Sequence, residues 1–405
     1  MDVLAGIKVV DVTTWAFVPS AGGVMAHWGA DVIKVEGPTM PDPLRLLFGG
    51  TLEPGGANNL FKHYSRGKRS VTLNLASDEG RDILYRLVAD ADVFLTSYLP
   101  DTRRKLKIDV DDIRKVNPDI IYARGSGQGP RGPESERPGY DGITWWCRGS
   151  LAQSTMDVSG ATWPTGMVGH GDGMSGMTLA GGICAALLRR ALTGVPSVVD
   201  GSLLGTAVWF NGPALINAQF GATERVHQPA EPPAERALAP ATMTQYQTKD
   251  HRFVSLLFLG DADADFADLC QHIGRPELAS DERFAQAAQR VANAPALMAI
   301  LDKVFASKTL EEWKRVLVTA RGAWSPVQTP EEIYEDPQTL ANGFLRHVDD
   351  PSGGLHVPIP PVLFDEEGGD PPPAPEFGAH TEEVLTGLGF TAADLERLRA
   401  AGVIA

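Results

Sequence analysis

Cysteine is scarce. Cys147, Cys184 and Cys270 are scattered along 405 residues, and no Cys-x-x-Cys pair occurs, which excludes a disulfide framework and a zinc knuckle. Reduced thiols in a cytoplasmic protein fit best. The nine histidines show no metal-ligand spacing, so no metal site is expected. Positive charge is also short: 36 Lys and Arg face 51 Asp and Glu, for a net charge of −15. A nucleic-acid surface needs the opposite balance. No apolar run approaches the ~18 residues of a membrane span. The opening MDVLAGIKVVDV lacks the basic flank of a signal peptide and reads as a first strand.

What is present is an ordinary globular composition, 43% hydrophobic and 21% charged. The length suggests two or three domains at roughly 150 residues each. Residues 7–12 and 31–36 read as strands flanking a helical stretch that opens at Pro19, a β-α-β unit. Ser77 can cap a helix near 78–91 with Ile83, Leu84, Leu87 and Val88 on one face. Residues 93–97, 119–124 and 197–199 add strands. The alternation predicts an α/β fold with a parallel sheet covered on both faces. Residues 173–192 predict a long helix whose glycines, Gly176, Gly181 and Gly182, would allow another backbone to approach. Prolines cluster at 211–240, which reads as a linker. A smaller unit spans 241–325, with a strand at 253–258 and helices carrying Phe266, Leu269, Cys270, Leu310, Trp313 and Leu317. Residues 326–405 return through a proline-rich connection to an acidic, helical tail at 380–400.

One stretch concentrates chemistry: Gly169-His170-Gly171-Asp172-Gly173-Met174-Ser175-Gly176. An acid sits among glycines where a helix begins. Glycines let a ligand approach the main chain, and a helix start offers N–H donors and partial positive charge. Asp172 is therefore either a helix cap or a reactive carboxylate. Two basic clusters, Arg66-Gly67-Lys68-Arg69 and Arg103-Arg104-Lys105 with Lys107, are either phosphate binders or solvated patches. Gly125-x-Gly127-x-Gly129 is a weak dinucleotide fingerprint, because prolines follow it instead of a helix. Trp145, Trp146 and Trp163 either line an apolar pocket or belong to the core.

Several segments resemble the class III CoA-transferase family, also called the CaiB/BaiF or formyl-CoA transferase-like family. They are LAGIKVVDVT at 4–13, GADVIKVEGP at 29–38, RGKRSVTLNL at 66–75, ERPGYDGI at 136–143, GDGMSG at 171–176, TGVPSVVDGSLL at 193–204 and APEFGAHTEEVLTGLGF at 374–390. The resemblance implies a Rossmann-like large domain containing both chain ends, with residues 1–210 as its first part and 326–405 as its return. It implies an inserted smaller α+β domain and an interlocked homodimer. Asp172 matches the family's nucleophilic aspartate, which would pass through a mixed anhydride and an aspartyl-CoA thioester. Leu73, Asn74, Leu75, Ser97, Tyr98, Arg104, Lys105, Gly139, Tyr140 and Asp141 match segments that contact CoA. Lys105 stands where arginine is common, and Tyr140 is either a contact or a packed ring. The partners implied are an acyl-CoA and a carboxylic acid. No bound cofactor is implied, since the CoA thioester is a substrate. The family's glycine-rich covering loop has no clear match; FLGDADADF at 258–266 stands in its place.

Two other functions remain open. A 2-methylacyl-CoA racemase shares the fold but would place a histidine at Tyr140, and a phenol with a pKa near 10 is a poor substitute. A non-catalytic acyl-CoA-binding protein would have no need of Asp172.

Overall fold

A computed structural model describes residues 1–159, 167–220 and 240–405. They fall into two compact units. The first takes in the described residues of Met1–Met156, Trp163–Thr223 and Pro337–Ala405, and so holds both chain ends. The second takes in those of Asp157–Thr162 and Glu224–Asp336.

Six strands form the sheet of the first unit: β1 (Lys8–Val12), β2 (Asp31–Glu36), β3 (Arg69–Thr72), β4 (Val93–Thr96), β5 (Ile121–Ser126) and β6 (Val198–Ser202). All neighbours are parallel, in the order β3-β2-β1-β4-β5-β6. This is the doubly wound arrangement, with its switch point between β1 and β4. Short apolar strands suit it because both faces are buried. Val10, Phe94 and Tyr122 point to one face, where they meet Ile83, Leu84, Leu385 and Leu398. Val9, Leu95 and Ile121 point to the other, where they meet Met25, Leu179 and Ile183. Period-two alternation thus divides one sheet between two cores.

The local signals explain the elements. Ser77 accepts from Gly80 N–H and starts the helix Asp78–Ala89. The long helix His170–Thr193 ends at Gly194, which is left-handed at φ 70°. Gly176 lets this helix meet the helix Phe17–His27: a Cβ there would lie 1.6 Å from Ser20 Oγ and 2.8 Å from Phe17 O. Gly182 approaches the Val199 side chain, but Gly181 faces open space, so close approach does not account for it. The expected tail helix is two, Thr381–Gly387 and Ala392–Ala400, broken at Gly389 (φ 89°) and restarted by a Thr391–Asp394 capping box. A hairpin, Leu345–Asp350 with Gly353–Pro358, was not legible beforehand.

The second unit is α+β. Strands Gln245–Gln247, Phe253–Leu256 and Trp324–Pro326 form an antiparallel sheet. Helices Ala262–His272, Ala294–Phe305 and Leu310–Leu317 bury Phe266, Leu301, Phe305 and Trp313 beside it. The FLGDADADF segment begins a helix, with Asp261 accepting from Ala264 N–H.

Under the carboxyl ends of β1–β3 lies a buried ionic lattice. Lys68 meets Asp11, Lys34 meets Asp42, and Arg45 grips Glu36 through two bonds, all at 2.7–2.8 Å. Burial alone would lower the Lys34 ammonium, but Asp42, Asp11 and Glu36 hold it above its ordinary value. Burial would raise Glu36, yet Arg45 and Lys34 pull it down to about 2. Asp42 also accepts from the N–H groups of Trp15 and Leu44. Among the described residues no helix is long and apolar enough to cross a membrane. Asp42→Ala is expected to cost about 3–5 kcal/mol in denaturant unfolding, because it removes the ion-pair partner of a buried ammonium and leaves two N–H groups without their acceptor. An Asp42→Leu/Lys34→Met pair is expected to recover part of the loss.

Candidate active site

The helix His170–Thr193 begins unusually. Its N-cap, Gly169, has φ 80° and no capping side chain of its own. The cap comes from a distant residue. Asp141 accepts from Gly169 N–H and Gly171 N–H, both at 2.9 Å. His170 N–H turns back to Met167 O at 3.4 Å. The N–H groups of Gly169, His170 and Gly171 are therefore engaged within the chain.

Asp172 consequently has no capping duty. It is the third residue of the helix, partly buried, and among the described residues no group donates a hydrogen bond to its carboxylate. Burial raises its pKa to about 7, helped by the negative charge of Asp141. Tyr64 lies on the other flank, its hydroxyl donating to Gly169 O at 2.7 Å. Burial, then the charges of Asp172 and Asp141, push the Tyr64 phenol above its ordinary range.

Asp141 reaches the helix because its own segment is held close to β5. A Cβ on Gly127 would lie 2.4 Å from Gly139 Cα, so a glycine is required for the two loops to touch. The chain then enters a π-helical turn, Asp141–Arg148, with Gly149 N–H bonded to Thr144 O. This turn aims Trp145 into the core and Trp146 toward the site.

A cavity of about 420 Å³ opens in front of Asp172. It collects residues that follow β1 (Thr14, Trp15), β4 (Ser97) and β5 (Gly127), with Gly139, Tyr140 and Asp141. Ser97 Oγ accepts from Thr14 N–H at 2.8 Å, tying the lips of the switch point together. A second cleft of about 260 Å³ shares Gly125 and Ser126 with the first and holds Tyr98, Arg103, Arg104 and Arg124. Asp109, Glu136 and Asp200 line this cleft as well, and they pair with Arg103, Arg104 and Arg124 respectively, so its charges balance where it adjoins the acidic cavity.

The remaining candidates are placed differently. Leu73 and Leu75 are buried in the core, their segment is bonded through Leu73 N–H to Glu36 O and Asn74 N–H to Val403 O, and the half-buried Asn74 side chain accepts from Ala76 N–H. Lys105 is exposed and does not line the arginine cleft. The Arg66–Arg69 cluster is structural: Arg66 donates to Pro358 O, Lys68 pairs with Asp11, and Arg69 pairs with Asp31 and Glu383. Trp145 is core, Trp146 lines the cavity, and Trp163 lies outside the described residues. Sequence reasoning missed Trp15, Leu44, Leu47 and Leu60, which also line the cavity. Trp15 was findable, since it follows directly on β1 at the switch point. Trp15 stands at φ 69° and meets Tyr140 edge to face, with ring centroids 5.5 Å apart.

A carboxylate at a helix start, over the switch point of a doubly wound sheet and beside a cleft that holds three arginines, is the arrangement of a ligand-binding α/β protein. Residues 4–381 match the profile of CoA-transferase family III. The chain is 32% identical over 392 residues to (R)-2-hydroxy-4-methylpentanoate CoA-transferase of Clostridioides difficile, covering 96% of each chain. It is 29% identical over 408 residues to succinyl-CoA:glutarate CoA-transferase of Mus musculus, covering 100% of this chain and 91% of that one. The crystal structure of a CaiB/BaiF family protein from Brucella suis superposes with a TM-score of 0.79 at 27% identity, covering 95% of this chain and 99% of the other. The chain belongs to CoA-transferase family III and is a CoA-transferase.

Folding forces the Asp172 carboxyl above its ordinary pKa, so its ionisation costs stability. That cost begins near pH 4 and is fully present above about pH 7. Asp172→Asn is therefore expected to raise the melting temperature, by more at pH 8 than at pH 5.5, in paired thermal melts.

Proposed function

We propose that Asp172 is the nucleophile of a CoA transfer between two carboxylic acids. The observation that carries this reading is its unbonded carboxylate, freed from capping by Asp141 and facing the cavity. The nucleotide of an acyl-CoA would lie in the arginine cleft, with its thioester over Asp172. Attack by the carboxylate on the thioester carbonyl forms an Asp172–acyl anhydride and expels the CoA thiolate. The thiolate then attacks the Asp172 carbonyl, giving an aspartyl-CoA thioester and the free donor acid. The acceptor carboxylate attacks that thioester, forming a new anhydride and again releasing thiolate. Thiolate attack on the acceptor's carbonyl yields the new acyl-CoA and restores Asp172. No bound cofactor is needed, since acyl activation is conserved throughout.

The electrostatics support this chemistry. A carboxylate hydrated in bulk water is a feeble nucleophile, and one stripped of hydration and of hydrogen-bond donors is stronger. The positive end of the helix offsets part of the resulting charge penalty. CoA-contacting roles for Ser97, Tyr98, Arg104, Gly139 and Tyr140 follow from the same placement. Among the described residues lining the cavity there is no histidine, so racemase acid–base chemistry finds no second partner beside Asp172.

An interlocked homodimer with an inserted smaller domain belongs to this proposal. Trp209, Phe220, Leu188, Leu192 and Ile216 are large apolar side chains left exposed in the single chain, which supports a partner surface. Free Cys147, Cys184 and Cys270 support a reducing, cytoplasmic setting.

Incubation with acyl-CoA followed by hydroxylamine is expected to mark Asp172 in a peptide map. Asp172→Ala is expected to lower exchange of labelled acid into acyl-CoA by at least about 1,000-fold; full exchange in that variant refutes the assignment. The single-turnover acylation rate is expected to rise with pH through about 7. Asp141→Asn removes a neighbouring negative charge and is expected to move that midpoint downward.

A further inference from the structure

The names of related transferases do not fix a substrate, since one pairs a branched 2-hydroxy acid with CoA and another two dicarboxylates. The cavity is more decisive. Its only charged side chains among the described residues are Asp141 and Asp172, both acidic; no lysine, arginine or histidine lines it. Away from the arginine cleft the wall is Trp15, Leu44, Leu47 and Leu60, which pack as one apolar cluster with Ala16 and Phe61. The nearby buried cations are committed: Lys34 to Asp42, Arg45 to Glu36, Lys68 to Asp11 and Lys62 to Asp350.

From this we infer that the acyl end of the cavity takes neutral, apolar acyl groups and rejects acyl chains that carry a second carboxylate. The inference rests on the reading that a thioester meets Asp172 here. Two physical facts drive it. A terminal carboxylate would lie against apolar side chains without a counter-ion among the described residues. It would also be repelled by Asp141, the group that already raises Asp172. A methyl or phenyl end instead covers apolar surface and gains about 25 cal/mol per Å² removed from water. The cavity volume of about 420 Å³ accommodates branched or aromatic acids of small-molecule size.

The test compares hexanoyl-CoA with adipyl-CoA, which have six acyl carbons each and differ only in a terminal methyl or carboxylate. Binding is measured by calorimetry on the Asp172→Asn variant, which keeps the shape and cannot form the anhydride. Hexanoyl-CoA is expected to bind at least tenfold more tightly than adipyl-CoA. Equal or tighter binding of adipyl-CoA overturns the inference, whether or not the wild-type enzyme transfers CoA. If hexanoyl-CoA is preferred but wild-type exchange is absent, the transferase reading fails and the ligand class stands. Binding of neither thioester overturns both. Leu47→Arg, which places a cation at the apolar wall, is expected to reverse the order; an unchanged preference in that variant overturns the assignment of this wall to the acyl end.

Discussion

The site depends on one carboxylate doing another's work. Asp141, carried on a separate segment, accepts the N–H groups of Gly169 and Gly171 at 2.9 Å each. A helix start buried without acceptors is costly, and the residue nearest to hand would have been Asp172. By meeting that need from outside, Asp141 leaves Asp172 without a hydrogen-bond donor and close to a like charge. Burial first, and then the Asp141 charge, raise its pKa to about 7. The same geometry places the Asp141 loop against β5 through the Gly127–Gly139 contact. Helix start, Asp172 and cavity wall are therefore one construction.

Much of the fold could be read from the residues. The strands at 7–12, 31–36 and 93–97 announce themselves by apolar β-rich runs, and Ser77 and Gly194 mark helix ends by their chemistry. β3 was hidden because its four residues begin inside a run of basic side chains whose charges are neutralised by Asp11 and Asp31, far away in sequence. The hairpin at 345–358 was hidden because its strands alternate polar residues and bury little.

The site was legible in part. Asp172 stood out by its glycine setting, and Gly139–Asp141 by resemblance. What the sequence could not convey was the division of labour between two acids 31 residues apart. Local sequence made Asp172 a natural cap; only the tertiary fold hands that task to Asp141. The arginine cluster at 66–69 misled for the same reason. Counter-ions supplied from β1, β2 and the tail turn apparent ligand groups into interior struts. Trp15 went unnoticed because an isolated aromatic after a strand has no periodic signature, although its position at the switch point marks it.

Trp15 carries a further consequence. Its backbone is left-handed at φ 69°, an outlier for a bulky residue, and the fixture that holds it there is Asp42, not its ring. Asp42 is in turn anchored by Lys34, deep beneath the strands. The indole can therefore be exchanged for another side chain while the bend it sits on keeps its shape. A side-chain change at Trp15 would recast the cavity wall while leaving the Asp42 bond to its main chain in place.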